Sequence, residues 1–254
     1  MFQIAVRTYE RPTQFQDKTL HVLRSFGLLD TLTVFVGSDI REYRELEPDL
    51  RYVQVRKGGA NAIADICAHY PRDTPILFLD DDLESFYGGD LPHMIEEGFK
   101  RADIWGFGYL SNTFWASQIA DWGPRYATLA GCSFAARNRP ELITTSVAHC
   151  DDIVRTIQYF RAGLTPHVWK KAGFKTRYTE NAGGLQSSGE RTDTKATCEE
   201  LLPHFSDWCR GLHQHRSGIW EIKLLAPAAV KARLNRQTPA TAKISPSPEG
   251  SSIP

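Results

Sequence analysis

Four short apolar runs alternate with helix-like segments over the first 82 residues, and this alternation constrains the fold more than any other feature. The helix-like segments, 13–26 and 60–70, carry apolar residues near the spacing of one helical face. Strand, helix, strand order predicts an α/β fold: one Rossmann-like domain with a mainly parallel central sheet flanked by helices. The predicted strands are 2–8, 32–36, 52–55 and 76–79.

Polar or glycine residues follow each of the four predicted strands. Parallel strands have their carboxyl ends on one edge of the sheet, where α/β proteins form their ligand crevice. The sequence therefore predicts one site built from several strand ends. The residues at those ends are Thr8, Tyr9, Ser38, Asp39, Gly58, Gly59, Asp80, Asp81 and Asp82.

The strand 76–79 runs directly into three aspartates, Asp80, Asp81 and Asp82. Crowded carboxylates repel one another and resist desolvation, and a divalent cation such as Mg2+ or Mn2+ removes that conflict because it prefers oxygen ligands. On an extended backbone Asp81 points away from its neighbours, so it is the candidate for a structural role. The alternative is that the aspartates cap a following helical turn at 83–85, which explains one aspartate better than three.

A second acidic pair, Asp151 and Asp152, opens the predicted helix 151–160. One of the two could remove a proton from a hydroxyl group as a general base, and we favour Asp152 by its position. Acidic residues are also common in the first turn of any helix, where they interact with backbone N–H groups and the helix dipole. Both interpretations stay open at the level of sequence.

The second half of the chain is less regular. We expect strands at 104–110, 128–136, 174–178 and 220–225, and a helix at 198–212 that Pro203 does not fit. From residue 227 onward Pro, Ala, Ser, Thr and Lys dominate, a composition typical of disorder. The predicted organisation is one domain over 1–226 and a disordered tail over 227–254.

Composition excludes few classes of protein. Lysine plus arginine balances aspartate plus glutamate at 30 each, so net charge does not argue for nucleic-acid binding, although a local basic face stays open. No apolar stretch approaches the roughly 20 residues that span a bilayer, and no signal peptide is recognisable. We expect a cytoplasmic protein without a membrane partner, and the oligomeric state is not predicted.

The five cysteines are odd in number, and no two have CxxC spacing. This predicts neither a disulfide framework nor a zinc cluster, and favours buried, reduced thiols. They are Cys67, Cys132, Cys150, Cys198 and Cys209.

In the order of these features, residues 3 to 190 resemble the GT-A class of nucleotide-sugar glycosyltransferases. The matching segments are a nucleoside-binding loop at 6–12, polar residues at 38–39, a loop at 58–61, a DxD metal motif at 80–82 and an acidic pair at 151–152. The resemblance implies a metal-dependent transferase that uses Mn2+ or Mg2+ and a nucleotide sugar, UDP-linked by family tendency. A base in the acidic pair implies inversion at the anomeric carbon.

The resemblance also implies roles for particular residues. Asp82 would be the direct metal ligand and Asp80 a nucleotide contact that also reaches the metal, with His213 or His215 as a further ligand. Asp152, or else Asp151, would be catalytic. For each of these residues the alternative is an ordinary structural role: a surface arginine or histidine, a glycine in a turn, or a residue in a surface loop. The implied nucleotide-sugar-binding residues are Arg7, Thr8, Tyr9, Arg11, Ser38, Asp39, Gly59, Asn61, Asp80, Asp81, Ser188 and Arg191.

Three motifs narrow the resemblance. RTYERP at 7–12, FLDDDL at 78–83 and GGLQSSGER at 183–191 look most like the glycosyltransferases associated with TET/JBP-type dioxygenases in phages and base-J-making protozoa. That group implies sugar transfer to 5-hydroxymethyl-pyrimidine in DNA, in the host cytoplasm if the protein is phage-encoded. The alternatives are a glycan, lipid or protein acceptor, nucleotidyl transfer, or a catalytically silent DNA-binding adaptor.

Overall fold

The computed structural model describes residues 1–108, 120–147, 149–176, 194–215 and 218–237. Within these ranges the central sheet has eight strands in the order β3-β2-β1-β4-β8-β6-β9-β7. Its strands are β1 (Gln3–Thr8), β2 (Leu32–Val36), β3 (Arg51–Gln54), β4 (Pro75–Asp80), β6 (Ile104–Phe107), β7 (Trp122–Pro124), β8 (Ser133–Arg137) and β9 (His167–Trp169).

The first four strands of this sheet are parallel. β1 lies between β2 and β4, with Ile4 opposite both Leu32 and Leu77, and β3 continues the parallel set beyond β2. β8 runs antiparallel between β4 and β6, β9 is parallel to β6, and β7 is antiparallel to β9. The predicted α/β fold with a mainly parallel central sheet is confirmed.

Helices lie on both faces of the sheet. An almost continuous helical segment follows β1, formed by α1 (Pro12–Phe15), a π-helical stretch (Gln16–Leu20) and α2 (His21–Ser25). The remaining helices are α3 (Ile40–Leu46), α4 (Gly59–His69), α5 (Leu91–Arg101), α6 (Pro140–Ile143), α7 (Asp151–Arg161), α8 (Thr194–Leu201) and α9 (Pro227–Gln237), with short 3-10 turns at Leu29–Thr31 and Leu202–Phe205.

Alternate strand residues bury into two separate cores. Ile4 and Val6 pack in one core and Ala5 in the other, and β4 divides in the same way, with Leu77 in the first core and Phe78 in the second. Because both faces are covered, the parallel strands are continuous apolar runs rather than alternating ones. This explains why the sequence predicts the bounds of the first four strands so accurately.

A C-terminal unit packs against the outer side of α7. It contains α8, the hairpin β11 (Cys209–Gln214) with β12 (Trp220–Leu224), and α9. A third core forms here, in which Ile157 and Phe160 of α7 share a cluster with Trp208 and Val230.

Two predictions are wrong in this unit. The expected helix 198–212 ends at Leu201, because Pro203 lacks a backbone N–H donor and the chain then pairs as β11 with β12. Disorder from residue 227 is contradicted by α9, which buries Val230 and Leu234. These two apolar residues are four apart on one helical face, and alanine, lysine and arginine around them favour helix. The rest of the predicted tail, 238–254, lies outside the described residues.

Other boundaries shift by smaller amounts. The strand expected at 128–136 begins later and ends one residue further on, at Ser133–Arg137, and the strand expected at 174–178 is seen as β10 (Gly173–Lys175), paired with β5 (Ser85–Tyr87). In the described ranges, none of the helices combines the length and apolarity needed to cross a bilayer.

Candidate functional site

The candidate site lies where the strand order reverses. From β1 the chain proceeds to β2 and β3 on one side, whereas β4 lies on the other side of β1. In doubly wound sheets, ligands bind outside the carboxyl ends of the strands at this switch point. Arg7 is directly opposite Asp80 in the pairing of β1 with β4, so the predicted loop and the aspartate triplet meet here.

Asp81 joins the two strand ends through a buried hydrogen-bond network. It is 4% exposed, and its carboxylate accepts hydrogen bonds from Thr8 Oγ1 at 2.6 Å and from Arg11 at 3.3 Å. Because Thr8 donates to Asp81, the Tyr43 hydroxyl donates to Thr8 over 2.7 Å and in turn accepts from the Arg11 backbone N–H at 3.0 Å. Burial raises the pKa of Asp81 to about 6, against the effects of Thr8 and Arg11. Asp81 therefore holds the loop after β1 in shape.

Asp80 and Asp82 are more accessible than Asp81. Their side chains are 29% and 17% exposed, against 6% for Asp81. Asp82 accepts a hydrogen bond from Thr176 Oγ1 at 3.0 Å, and its other carboxylate oxygen lies 3.7 Å from Arg11. Two accessible carboxylates supply the oxygen donors that Mn2+ and Mg2+ prefer, so this pair fits the predicted metal.

The turn after the triplet is held by a threonine. Thr19 Oγ1 donates to the Asp80 carbonyl at 2.8 Å and accepts from the Leu83 N–H at 3.0 Å. The chain then enters the strand β5, not a helix, so the alternative in which the aspartates cap a helical turn at 83–85 is wrong.

Arg7 connects the triplet with the second acidic pair. Its Nε donates to Asp80 Oδ1 at 2.6 Å, one terminal nitrogen donates to the Gly131 carbonyl at 3.0 Å, and the other lies 4.0 Å from Asp151 Oδ2. Burial alone would lower the pKa of this guanidinium, but Asp80 and Asp151 outweigh it and raise that pKa. Burial raises the pKa of Asp80, with Arg7 opposing the shift. Arg7 is thus a permanent cation between acids from β4 and α7.

The two acidic residues at the start of α7 have pKa values that are shifted in opposite directions. Burial opposes ionisation of Asp151, but Arg155, which donates to Asp151 at 2.5 Å, and Arg7 outweigh it and lower the pKa of Asp151. Burial and the neighbouring Asp151 charge raise the pKa of Asp152. Two adjacent carboxyls with pKa values pushed apart are the arrangement expected of a fixed anion beside a proton acceptor.

Asp152 also lies against the loop that Arg7 contacts. A β-carbon added at Gly131 would lie 3.4 Å from the Asp152 β-carbon, so the first turn of α7 packs at contact distance from this loop. Gly59, at the start of α4, also lies near Arg7, since an added β-carbon there would be 3.7 Å from a guanidinium nitrogen. Residues from β1, β4, α4 and α7 thus converge on one arginine.

Several predicted nucleotide contacts lie at the rim of this crevice. The Tyr9 ring lies beside Gly37 and 4.9 Å from the Lys57 ammonium, and Ser38 Oγ accepts from the Glu10 N–H at 3.0 Å. Each is fixed at a strand end, as predicted.

Asp39 and Asn61 are engaged locally instead. Asp39 caps α3 through the Arg41 N–H, and its hydrogen bonds with Arg41 lower its pKa to about 2. Asn61 donates to the Lys57 carbonyl at 2.8 Å. Contact of either residue with a nucleotide stays a prediction. Ser188 and Arg191 lie outside the described residues.

The two predicted histidine ligands lie in the C-terminal hairpin, His213 on β11 and His215 directly after that strand. Their rings are 4.9 Å apart, and His215 Nε2 is 2.7 Å from Glu221, which pairs with His213 across the hairpin. Within the described residues, neither histidine forms a close three-ligand group with Asp80 or Asp82. A histidine ligand from this hairpin therefore stays a prediction.

Sequence reasoning missed the supporting residues Arg155, Gly131, Thr19, Tyr43 and Thr176. Arg155 could have been found, because it follows Asp151 by four residues on the same helix, the spacing of a helical ion pair. The others act across long sequence separations, up to 124 residues between Arg7 and Gly131. No local pattern marks them.

No protein-family model matches the chain, and no curated protein matches its sequence. Among solved structures it is similar to a mannosyltransferase from Pyrobaculum calidifontis in complex with GDP-Man and Mn2+, with 16% identity, a TM-score of 0.49 and coverage of 81% of this chain. It spans 63% of the length of that mannosyltransferase.

A second similar structure is glucosyl-3-phosphoglycerate synthase from Mycobacterium tuberculosis in complex with Mn2+ and UDP-glucose, with 13% identity, a TM-score of 0.48 and coverage of 89% of this chain and 88% of that one. A third is CMP:2-keto-3-deoxy-manno-octonic acid synthetase complexed with CTP, with 10% identity, a TM-score of 0.42 and coverage of 81% and 98%. All three TM-scores are below 0.5, so function has to be inferred from the residues of the site.

Proposed function

We propose that this chain is a metal-dependent glycosyltransferase of GT-A type, which moves a sugar from a nucleotide sugar, UDP-linked by expectation, to a hydroxyl acceptor. The observation that carries the proposal is the position of Arg7 between Asp80 and Asp151. It joins a pair of accessible carboxylates suited to a divalent metal with a second acidic pair suited to proton transfer, at the switch point of the sheet.

Asp80 and Asp82 would hold Mn2+ or Mg2+. When bound, such an ion stabilises the negative charge that develops on a nucleoside diphosphate as it leaves. The protein's own part is positional: Asp81 and Thr8 hold the loop after β1, and Arg7 keeps the two acidic groups at a fixed separation.

Asp152 is the proposed general base. The acceptor oxygen forms a bond to the anomeric carbon of the sugar, the bond from that carbon to the diphosphate oxygen breaks, and the hydroxyl proton goes to the Asp152 carboxylate. Attack opposite the leaving group inverts the anomeric carbon. Asp151, held ionised by Arg155, keeps a negative charge next to Asp152 and so increases the proton affinity of the base.

The acceptor we propose is 5-hydroxymethyl-pyrimidine in DNA. It is supported by the resemblance of the RTYERP, FLDDDL and GGLQSSGER motifs alone. A glycan, lipid or protein hydroxyl would need the same base and the same metal, so the acceptor has to be determined by product analysis.

The test is a transfer assay with Mn2+, a panel of nucleotide sugars and DNA that contains 5-hydroxymethylcytosine or 5-hydroxymethyluracil, read by product mass. We expect one sugar added per modified base, and a loss of turnover of about 10²- to 10⁴-fold in Asp152→Asn, because a general base contributes in that range. Asp49→Asn, an exposed acid after α3, is the matched control and should retain full turnover.

Isothermal titration separates donor use from acceptor choice. A chain that binds no nucleoside diphosphate in the presence of Mn2+ is not a transferase of this kind. A chain that binds and hydrolyses a nucleotide sugar but leaves DNA unmodified retains the transferase proposal and loses the DNA acceptor. DNA binding without any donor binding would favour the silent adaptor.

A further inference from the structure

Three metal-binding side chains meet at a place outside the proposed transferase site. His149 and Cys150 immediately precede α7, and Cys198 lies within α8. Their ligand atoms, an imidazole nitrogen and two sulfurs, all lie within 4.8 Å of one another, and no other group of this kind occurs in the described part of the chain. The two cysteines are 48 residues apart in sequence, so only the fold brings them together.

The separation of the two sulfurs matches a shared metal ion. Cys150 Sγ and Cys198 Sγ are 3.7 Å apart. Tetrahedral coordination with zinc–sulfur bonds of about 2.3 Å places two thiolates about 3.8 Å apart. A disulfide would require about 2.05 Å, and the structure has both cysteines as free, buried thiols.

A backbone carbonyl of the hairpin contacts two members of the group. The carbonyl oxygen of Trp220, in the hairpin strand β12, accepts hydrogen bonds from His149 Nε2 at 2.5 Å and from Cys198 Sγ at 3.4 Å. Cys150 has a φ of +62°, a left-handed conformation that is uncommon outside glycine and persists where other interactions hold it. Bonds from a metal ion to Cys150 and its neighbour would be such interactions.

The donor atoms select a different metal from that of the aspartates. Two sulfurs and an imidazole suit Zn2+, whereas Mg2+ and Mn2+ take oxygen ligands. The group is therefore chemically distinct from Asp80 and Asp82, and the inference does not depend on the proposed transferase activity.

We propose that His149, Cys150 and Cys198 bind one zinc ion, with a water molecule in the fourth position. The ion ties α8 to the first turn of α7, which carries Asp151 and Asp152. Zinc binding therefore holds in place the N-terminal turn of α7, which carries the proposed base Asp152.

The test uses the full chain, purified under reducing conditions without chelator. We expect about one zinc per chain by elemental mass spectrometry. We also expect Co2+ substitution to give the near-ultraviolet sulfur-to-cobalt absorption and strong visible bands of a tetrahedral thiolate site. Cys198→Ala and His149→Gln should each weaken zinc affinity at least about tenfold, because loss of even an outer-shell partner of a metal costs that much.

The matched controls are other buried cysteines. Cys209 lies in the same core as Cys198, and Cys67 lies in the core on the second face of the sheet. The variants Cys209→Ala and Cys67→Ala should both keep full zinc content. If a ligand variant fails to fold, the Co2+ spectrum of the wild-type chain still tests the zinc proposal. The proposal is overturned by a wild-type chain that takes up no zinc, by zinc that is lost from Asp82→Asn but kept by Cys198→Ala, or by a Cys150–Cys198 disulfide in the freshly purified protein.

Discussion

Arg7 is the residue on which the candidate site depends most. A planar guanidinium has donors in fixed directions, so one side chain can contact a carboxylate, a carbonyl and a second carboxylate at once. Here it does so with Asp80, Gly131 and Asp151. A lysine could keep the charge but could not keep three directed contacts.

Arg7→Lys should therefore keep the fold and reduce sugar transfer. A hydrogen bond to a charged group contributes about 1.5 to 3 kcal/mol, so we expect a loss in kcat/KM of about 10- to 100-fold, measured in the transfer assay. Arg56→Lys is the control, because Arg56 makes a comparable pair with Asp65 on an exposed surface and should leave turnover unchanged. Equal activity in the two variants would mean that Arg7 does not organise the site.

At the scale of elements, burial on both faces made the first half of the sheet easy to predict. β2 was predicted at its observed bounds and the other three N-terminal strands to within two residues, because continuous apolar runs ended by polar or glycine residues have few other interpretations. The strands of the hairpin β11–β12 are only partly buried, and the mixed composition of the first one led to the prediction of a helix. Local composition could not distinguish the two, since strand pairing with β12 decides the outcome.

Packing between α5 and β6 gives a prediction at this scale. Gly98 of α5 lies against the fully buried Trp105 ring, where an added β-carbon would be 2.5 Å from the ring atom Cε2. Alanine normally stabilises a helix interior relative to glycine by about 1 kcal/mol, but overpacking a core costs about 1 to 3 kcal/mol.

We expect Gly98→Ala to lower the free energy of unfolding by up to about 2 kcal/mol in urea titrations, because the overpacking cost exceeds the helix gain. Gly59→Ala in α4 is the matched control, since its β-carbon would make only an ordinary contact at 3.7 Å. A stabilised Gly98→Ala variant would contradict the packing described for this helix.

His167, in β9, leads to a prediction of how stability depends on pH. Burial lowers the pKa of His167, assisted by Lys170 and opposed by the hydrogen bond to the Thr165 carbonyl. The folded chain therefore binds this proton less readily than the unfolded chain, whose histidine has a pKa of about 6.5. The contribution of neutral His167 to stability is complete above that pH and declines as pH falls below it.

Urea titrations of the wild type and His167→Gln at about pH 8 and about pH 5 test this, since these values lie on either side of the unfolded pKa of about 6.5. The wild type should lose more stability than the variant on acidification. Parallel losses in the two proteins would show that His167 has no part in the pH dependence.

At the scale of the whole molecule, the C-terminal unit closes the fold around α7. One face of that helix packs against the sheet and another packs against α8, the hairpin and α9. The sheet and the C-terminal unit therefore both contribute to the position of Asp151 and Asp152. The composition of residues 227–237 had predicted disorder, whereas the structure buries two of their side chains.

Loss of those two side chains should destabilise the whole protein. Val230 is 0% and Leu234 4% exposed. Truncating both to alanine should lower the free energy of unfolding by about 4 kcal/mol, since buried aliphatic truncations cost about 2 to 5 kcal/mol each when they leave a cavity and less where the site can collapse. Lys231→Ala, on the exposed side of α9, is the control. If the double variant is as stable as the control, α9 does not pack as described.

The sequence by itself determined the α/β architecture, the edge of the sheet at which the candidate site lies and the two acidic groups proposed for it. These follow from apolar periodicity and strand ends, which are local properties of the chain. Tertiary structure decided which acids face the crevice, how Arg7 joins them, and that Cys150 and Cys198, which have no CxxC spacing, lie close together. The physical reason is that burial, charge pairing and ligand geometry depend on residues far apart in sequence, and only folding sets their distances.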